Sequence, residues 1–243
     1  MSFLKDLSTD ESIATEKDTL GSSGVLDSGA YAATIKLCFG ITAGSGARGL
    51  TVHFETKEGR SFRNTFWLTS GTAKGCKNYY EKDGVKNYLP GYLQATALSL
   101  LTVGKELAEL DFEEKTIQLY NNDAKAEVPT KVPMAVDLLG KEIVVGLIKQ
   151  IVDKTAKGDD NQYHPTGETR EENDIDKLFR AEDLKTTAEI RAKTETAGFH
   201  DAWVAKWTGK TRDRSTKGGA GTAGAPKTAG AAATPKPSNS LFG

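Results

Sequence analysis

The chain has 243 residues, 27% of them charged and only 37% hydrophobic, and 32 lysines and arginines against 33 aspartates and glutamates leave a formal net charge of -1. So lean a hydrophobic share predicts that part of the chain lies outside any packed core, and the near-zero balance excludes a uniformly basic nucleic-acid coat. No apolar run approaches the roughly 18 residues needed to span a bilayer, and the first residues, Met1-Ser2-Phe3-Leu4-Lys5-Asp6, lack the basic and apolar regions of a secretion signal.

Residues 1–28 are polar and weakly periodic, and predict a loose N-terminal arm. Strand signals then follow in succession. Between 30 and 39 the odd positions Tyr31, Ile35, Leu37 and Phe39 share one face of the first. Residues 50–56 alternate apolar with polar, and 61–68 do so again after the turn Lys57-Glu58-Gly59-Arg60. Period two over such short segments predicts half-buried antiparallel strands joined by hairpins. Tyr79-Tyr80 and Tyr88-Leu89 flank Lys82-Asp83-Gly84, predicting a small hairpin or flap.

Leu93, Ala97, Leu100 and Leu101 fall at helical spacing behind Pro90-Gly91. Residues 116–120 and 143–148 read as further strands, with Pro129 and Pro133 marking an edge or a bend between them. From 168 to 207 the apolar positions Ile175, Leu178, Phe179, Phe199, Trp203 and Trp207 turn helical, predicting a helical extension over 159–207. In the remainder, 208–243, the last 29 residues contain 16 Gly, Ala or Pro, which predicts a disordered basic tail up to Leu241-Phe242. Cys38 and Cys76, with no export signal, fit free thiols in a reducing compartment and a cytoplasmic protein.

Three strands, a helix, then two or more strands is the order of an OB-fold, a five-stranded antiparallel Greek-key barrel with its helix between strands three and four. The predicted class is therefore mainly β: an OB-fold-like nucleic-acid-binding domain over 29–158, a C-terminal helical segment and a disordered tail. Another small antiparallel barrel is the alternative, because topology does not follow from strand count.

Familiar motifs fail on context. Gly44-Ser45-Gly46-Ala47-Arg48-Gly49 matches G-x-G-x-x-G, but a strand pattern follows it, whereas a dinucleotide site needs a helix N-terminus there. The segment 70–77 is rich in glycine and lysine without the spacing of a phosphate-binding P-loop. His53, His164 and His200 lie far apart, and the cysteines form no C-x-x-C pair, so neither a metal nor another cofactor is expected. No nucleophile motif such as G-x-S-x-G occurs. The expectation is a protein without catalytic residues.

The positive signal is basic residues interleaved with aromatic ones. Residues 48–88 carry eight bases against four acids, and from 206 onward seven bases face one acid, Asp213. If Phe62 and Phe66 face the core, Arg63 and Trp67 face out. Arg48, Arg60, Lys74, Lys77, Tyr79, Tyr80, Lys82, Lys86 and Tyr88 complete the candidate set. Unpaired nucleic acid is held in this way, with cations following phosphates and rings stacking on bases. The bland alternatives are a barrel-core Trp67 and a purely structural tyrosine hairpin.

The stretches Phe66-Trp67-Leu68-Thr69-Ser70-Gly71, Asn78-Tyr79-Tyr80 to Tyr88-Leu89-Pro90-Gly91 and Val128-Pro129-Thr130-Lys131-Val132-Pro133, with the ending Ser240-Leu241-Phe242-Gly243, resemble the single-stranded DNA-binding proteins of short-tailed bacteriophages over about 30–154. The resemblance implies an OB-fold that coats exposed strands during replication and recombination in the host cytoplasm. It also implies a C-terminal tail that recruits replication enzymes such as the phage DNA polymerase, here through Leu241 and Phe242. Tails of that family are usually acidic and this one has no acid after Asp213, so it departs from the pattern there. The rival functions are a strand-annealing accessory protein, or an adaptor module that binds no DNA. Oligomeric state does not follow from the sequence.

Overall fold

The computed structural model describes residues 24–121, 124–160 and 162–216. At its centre is a meander of three strands, β1 (Gly29–Thr42), β2 (Arg48–Thr56) and β3 (Ser61–Trp67). Alternation sends Leu50, Val52 and Phe54 of β2 and Phe62 and Phe66 of β3 to one inner face, where Phe54 and Phe62 stack at 5.1 Å. A loop leads to a separate hairpin, β4 (Tyr79–Lys82) and β5 (Val85–Tyr88). Its turn residues Asp83 and Gly84 both have positive φ, as a two-residue type I′ turn requires. Helix α1 (Pro90–Val103) starts on a proline and stops at Gly104, burying Ala95, Leu98 and Leu101 against the inner face.

β6 (Phe112–Asn121) and β7 (Ala126–Ala135) form a long hairpin that joins the sheet where Met134 pairs with Phe39. Pro129 and Pro133 lie on β7, which pairs with β6 along its length but with β1 only at Met134, so its other edge is largely free. β8 (Glu142–Lys157) pairs with the first half of β1, and β9 (Tyr163–Arg180) returns along the other side of β8. Helices α2 (Thr187–Arg191) and α3 (Gly198–Trp207) follow. A short strand β10 (Thr211–Asp213) then runs parallel to β8. Among the described residues no helix is long and apolar enough to cross a membrane.

The protein is mainly β, and its largely antiparallel sheet does not close. The ladders run in the order β3-β2-β1-β8-β9, leaving β3 paired with β2 alone and β9 with β8 alone. The closed five-strand barrel expected from the sequence is thus replaced by an open sheet curled around α1, which packs on both free strands. Gln94 of α1 donates to the Ile175 carbonyl on the β9 edge, supplying the partner a closing ladder would have given. Residues 24–26 bridge the same seam from elsewhere. Leu26 exchanges two hydrogen bonds with the Asn173 side chain, and the Gly24 carbonyl accepts from Arg60.

Two bulges change which residues share a face. Ile35 pairs with Phe54 but Leu37 with His53, so Lys36 is an extra residue in β1. Beyond it the alternation inverts. Ile35 and Cys38 enter the inner core with Tyr31 beside them, whereas Leu37 and Phe39 pack on the outer face against Val132 and Met134. The four aromatic and aliphatic positions read as one face are therefore split two and two. Between β8 and β9, Gly146 pairs with Lys177 and Leu147 with Ile175, which makes Asp176 the extra residue in β9. Ile175 and Leu178 consequently share the inner face, and Phe179 joins Trp203 on the other. The spacing that predicted a helix from 168 belongs to a bulged strand running to Arg180, and the extension is helical in α2 and α3.

The expected boundaries shift accordingly. The boundary expected at 158–159 falls in the turn of the β8–β9 hairpin, whose strands pair with each other on either side of it. Residues 24–28 belong to the core edge: Leu26 and Ser28 are buried, and the Ser28 hydroxyl donates to the Lys210 carbonyl while accepting from the Lys149 N–H. Residues 208–216 are fastened as well, by β10 and by Arg212, which bonds Asp174 and Gln150 and lies 5.9 Å from the Trp207 ring centroid. The rest of the expected arm and tail, 1–23 and 217–243, lies outside the described residues.

Candidate nucleic-acid interface

The last turn of β3 sets the site. Phe66 is 1% exposed in the core, and its neighbour Trp67 on the opposite face is 43% exposed, as expected if the phenylalanines face inward. Trp67 pairs with Gly49 of β2, and a Cβ on Gly49 would stand 3.0 Å from the indole. Because glycine has none, the ring lies against the β2 backbone with its outer surface open. Gly91, in the first turn of α1, abuts the Trp67 backbone so closely that a Cβ there would come within 2.6 Å of its nitrogen. Two missing side chains thus hold one aromatic in place.

Further along the same face, Arg63 sits opposite His53, whose ring centroid is 5.9 Å from that of Phe39. The His53 Nε2 is buried with no hydrogen-bond partner among the described residues. Burial and, second, the Arg63 charge hold its proton affinity below the ordinary histidine value. Thr51 and Thr65 share a hydrogen bond of 2.9 Å between them.

Beyond Trp67 the loop 68–78 folds back onto the loop joining β1 to β2. The Thr72 N–H and hydroxyl both donate to the Ser45 carbonyl, at 2.8 and 2.7 Å, and the Lys77 N–H donates to the Ser70 hydroxyl at 3.0 Å. Gly46 has positive φ, and a Cβ on it would strike the Thr72 hydroxyl. Arg48, Leu68, Thr69, Lys77, Asn78 and Tyr92 line a cleft of about 370 Å³ between this loop and α1. Lys74 stands exposed on the same loop.

The register of the β4–β5 hairpin divides the tyrosines. Tyr79 pairs with Tyr88 and Glu81 with Lys86, while Tyr80 pairs with Asn87 and Lys82 with Val85. Tyr79, Lys86 and Tyr88 therefore share one face, and Tyr80 and Lys82 the other. The Lys77 and Lys86 ammonium groups stand 5.6 and 5.1 Å from the Tyr79 centroid, and Tyr88 stacks on Tyr92 at 5.1 Å. Ring contacts thus link Lys77, Tyr79 and Lys86, and Tyr88 with Tyr92, while the cleft joins Arg48, Lys77 and Tyr92; Trp67 stands apart on β3, with Lys74 on the loop that follows it. Arg63 is four residues from Trp67, roughly 13 Å along the strand. Arg60 lies at the far end of β3, its guanidinium held by the Gly24 carbonyl, and does not join the group. Leu241 and Phe242 lie outside the described residues.

Among the described residues none of the eight bases between 48 and 88 makes an ion pair. Lys105, Lys115, Lys131, Lys149 and Lys154 elsewhere do, and Glu55 is taken by Lys36 of β1. Cations left uncompensated by the protein retain their full charge for an external anion. Asn78 and Tyr92 escaped the sequence reading: Tyr92 sits inside a helix signal, and nothing marks one asparagine in a loop. Comparison with known proteins adds no identification, since no family model matches the chain and no curated protein matches its sequence.

Proposed function

We propose that the chain is a sequence-tolerant single-stranded DNA-binding protein with an OB-like architecture, of the kind short-tailed bacteriophages use to coat and protect unpaired DNA during replication and recombination. The carrying observation is Trp67, outward on β3 with its ring against the Gly49 backbone, in a stretch, 48–88, whose eight bases form no ion pair among the described residues. An open indole face stacks on any base, and the cations follow the phosphates. The strand order supports the same reading. The order β1-β2-β3, α1, then β8 and β9 is compatible with OB-like connectivity in which one seam is left unlaced and the β6–β7 hairpin is inserted before the fourth strand. In this proposal Leu241-Phe242 docks on a replication partner while the barrel-like body holds DNA.

The test is a titration of labelled oligo-dT at several salt concentrations, with duplex of equal length as competitor. Tight binding that weakens steeply with salt and resists duplex competition is expected. Absence of salt-dependent binding to single strands would leave an adaptor module.

A further inference from the structure

We infer that the cleft between the 68–78 loop and α1 holds one unstacked nucleotide, and that the Asn78 amide reads the Watson–Crick edge of its base. The inference rests on the single-strand reading above and deepens it. The cleft, about 370 Å³, falls at the small end of ligand sites, roughly 300–1,000 Å³, and suits one nucleotide rather than a run of them. Its lining divides by chemistry. Arg48 and Lys77 stand exposed, carrying charge that no acid offsets, where a phosphate would lie. Leu68 and the Tyr92 ring, braced by Tyr88, supply an apolar wall for a base.

Asn78 is half-buried, and its side-chain amide makes no hydrogen bond among the described residues. Its backbone carbonyl is engaged by the Leu89 N–H, which ties the residue to the base of the β4–β5 hairpin. A carboxamide carries one acceptor and two donors side by side. Each of the four bases presents a donor and an acceptor adjacent on its Watson–Crick edge, so a rotated amide pairs with any of them. What it cannot pair with is an edge already used in a duplex. The site would therefore be tolerant of sequence and selective for strand state, adding hydrogen bonds on the base edge to what stacking on Trp67 supplies.

The cleft contains its own reporter. Cys76 lines it, whereas Cys38, the other of the two cysteines, is fully buried with its thiol pushed up to about 12. Iodoacetamide should thus alkylate Cys76 in the folded protein. Saturating oligo-dT should slow that alkylation, and duplex at equal concentration should not. Asn78→Ala should weaken single-strand binding by roughly three- to tenfold, the worth of one or two hydrogen bonds, by the same factor for oligo-dT, oligo-dC and oligo-dA, with duplex binding unchanged. If oligo-dT binds tightly but Cys76 reacts at its free rate, the cleft is empty in the complex and the inference falls while the Trp67 interface stands. Protection without a loss in Asn78→Ala removes the edge-reading amide and overturns the inference as well. Absence of binding to any single strand defeats the underlying function itself.

Discussion

Replacing Trp67 with alanine separates stacking from charge. If the indole stacks on one base, its loss should cost about 1–3 kcal/mol of binding, a roughly 5- to 150-fold rise in Kd. Stacking releases no counterions, so the slope of log affinity against log salt should stay at the parental value. The fold must survive for this to be read. With Trp67 43% exposed, just over half of roughly 250 Å² is covered. Truncation then costs at most about 3.5 kcal/mol of stability at ~25 cal/mol per Å². Circular dichroism at the assay temperature checks this. Fluorescence supplies the direct assay, because the other two indoles are placed differently. Trp203 is 4% exposed and donates to Asp176, and Trp207 stands between Lys206 and Arg212 on α3. DNA-dependent quenching should vanish in Trp67→Ala. A folded variant with parental affinity, or one that keeps the quenching, would refute Trp67 as the stacking platform.

Changing Arg48, Arg63 and Lys77 together to alanine should weaken binding to all sequences alike and lower the log-log salt slope by about 0.7 for each phosphate no longer neutralised. Arg60→Ala should leave the slope unchanged, since its guanidinium serves the Gly24 carbonyl at the far end of β3; salt titrations of both variants decide. His53 carries a proton affinity lowered first by burial and then by Arg63. Above about pH 6.5 both folded and unfolded chains leave it neutral, and below that the unfolded chain takes up the proton first. Stability should therefore fall as pH drops through that value, and urea midpoints between pH 7.5 and 5 should show a shallower fall in His53→Gln. Gly91→Ala places a Cβ against the Trp67 backbone, where overpacking should cost roughly 1–3 kcal/mol. Its thermal midpoint should drop, and an unchanged value would deny the close approach of α1 to β3.

Alternation carried the sequence reading as far as strands stay regular. The inner and outer faces of β2 and β3, the Asp83-Gly84 turn, and a helix opening at Pro90 all follow local chemistry that a sequence displays. Bulges defeat that logic because an extra residue shows no side-chain signature. Lys36 inverts β1, and Asp176 gives Ile175, Leu178 and Phe179 a helix-like spacing in a strand. Tertiary commitments were equally hidden. Arg212 reads as one more basic tail residue until Asp174, Gln150 and Trp207 surround it. For the site, Trp67 was legible from its parity with Phe66. The division of Tyr80 and Lys82 from Tyr79 and Lys86 depends on hairpin register, and the cleft depends on a loop folding onto another thirty residues away.

The two long hairpins also govern how this protein moves through solution. β6 and β7 pair over ten residues, while β8 and β9 remain paired as far as Lys157 and Tyr163, beyond the last β10 contact at Ile151. At 3.3 Å per residue a ten-residue hairpin spans about 33 Å, against a radius of gyration of about 18 Å for a compact 243-residue chain. Part of that length packs on β1 through Val132 and Met134; the part that projects beyond adds friction without adding mass. On a gel-filtration column calibrated with near-spherical standards, a monomer of this protein should elute early and imitate a dimer. Stoichiometry is better taken from light scattering or sedimentation equilibrium, whose readings do not depend on shape.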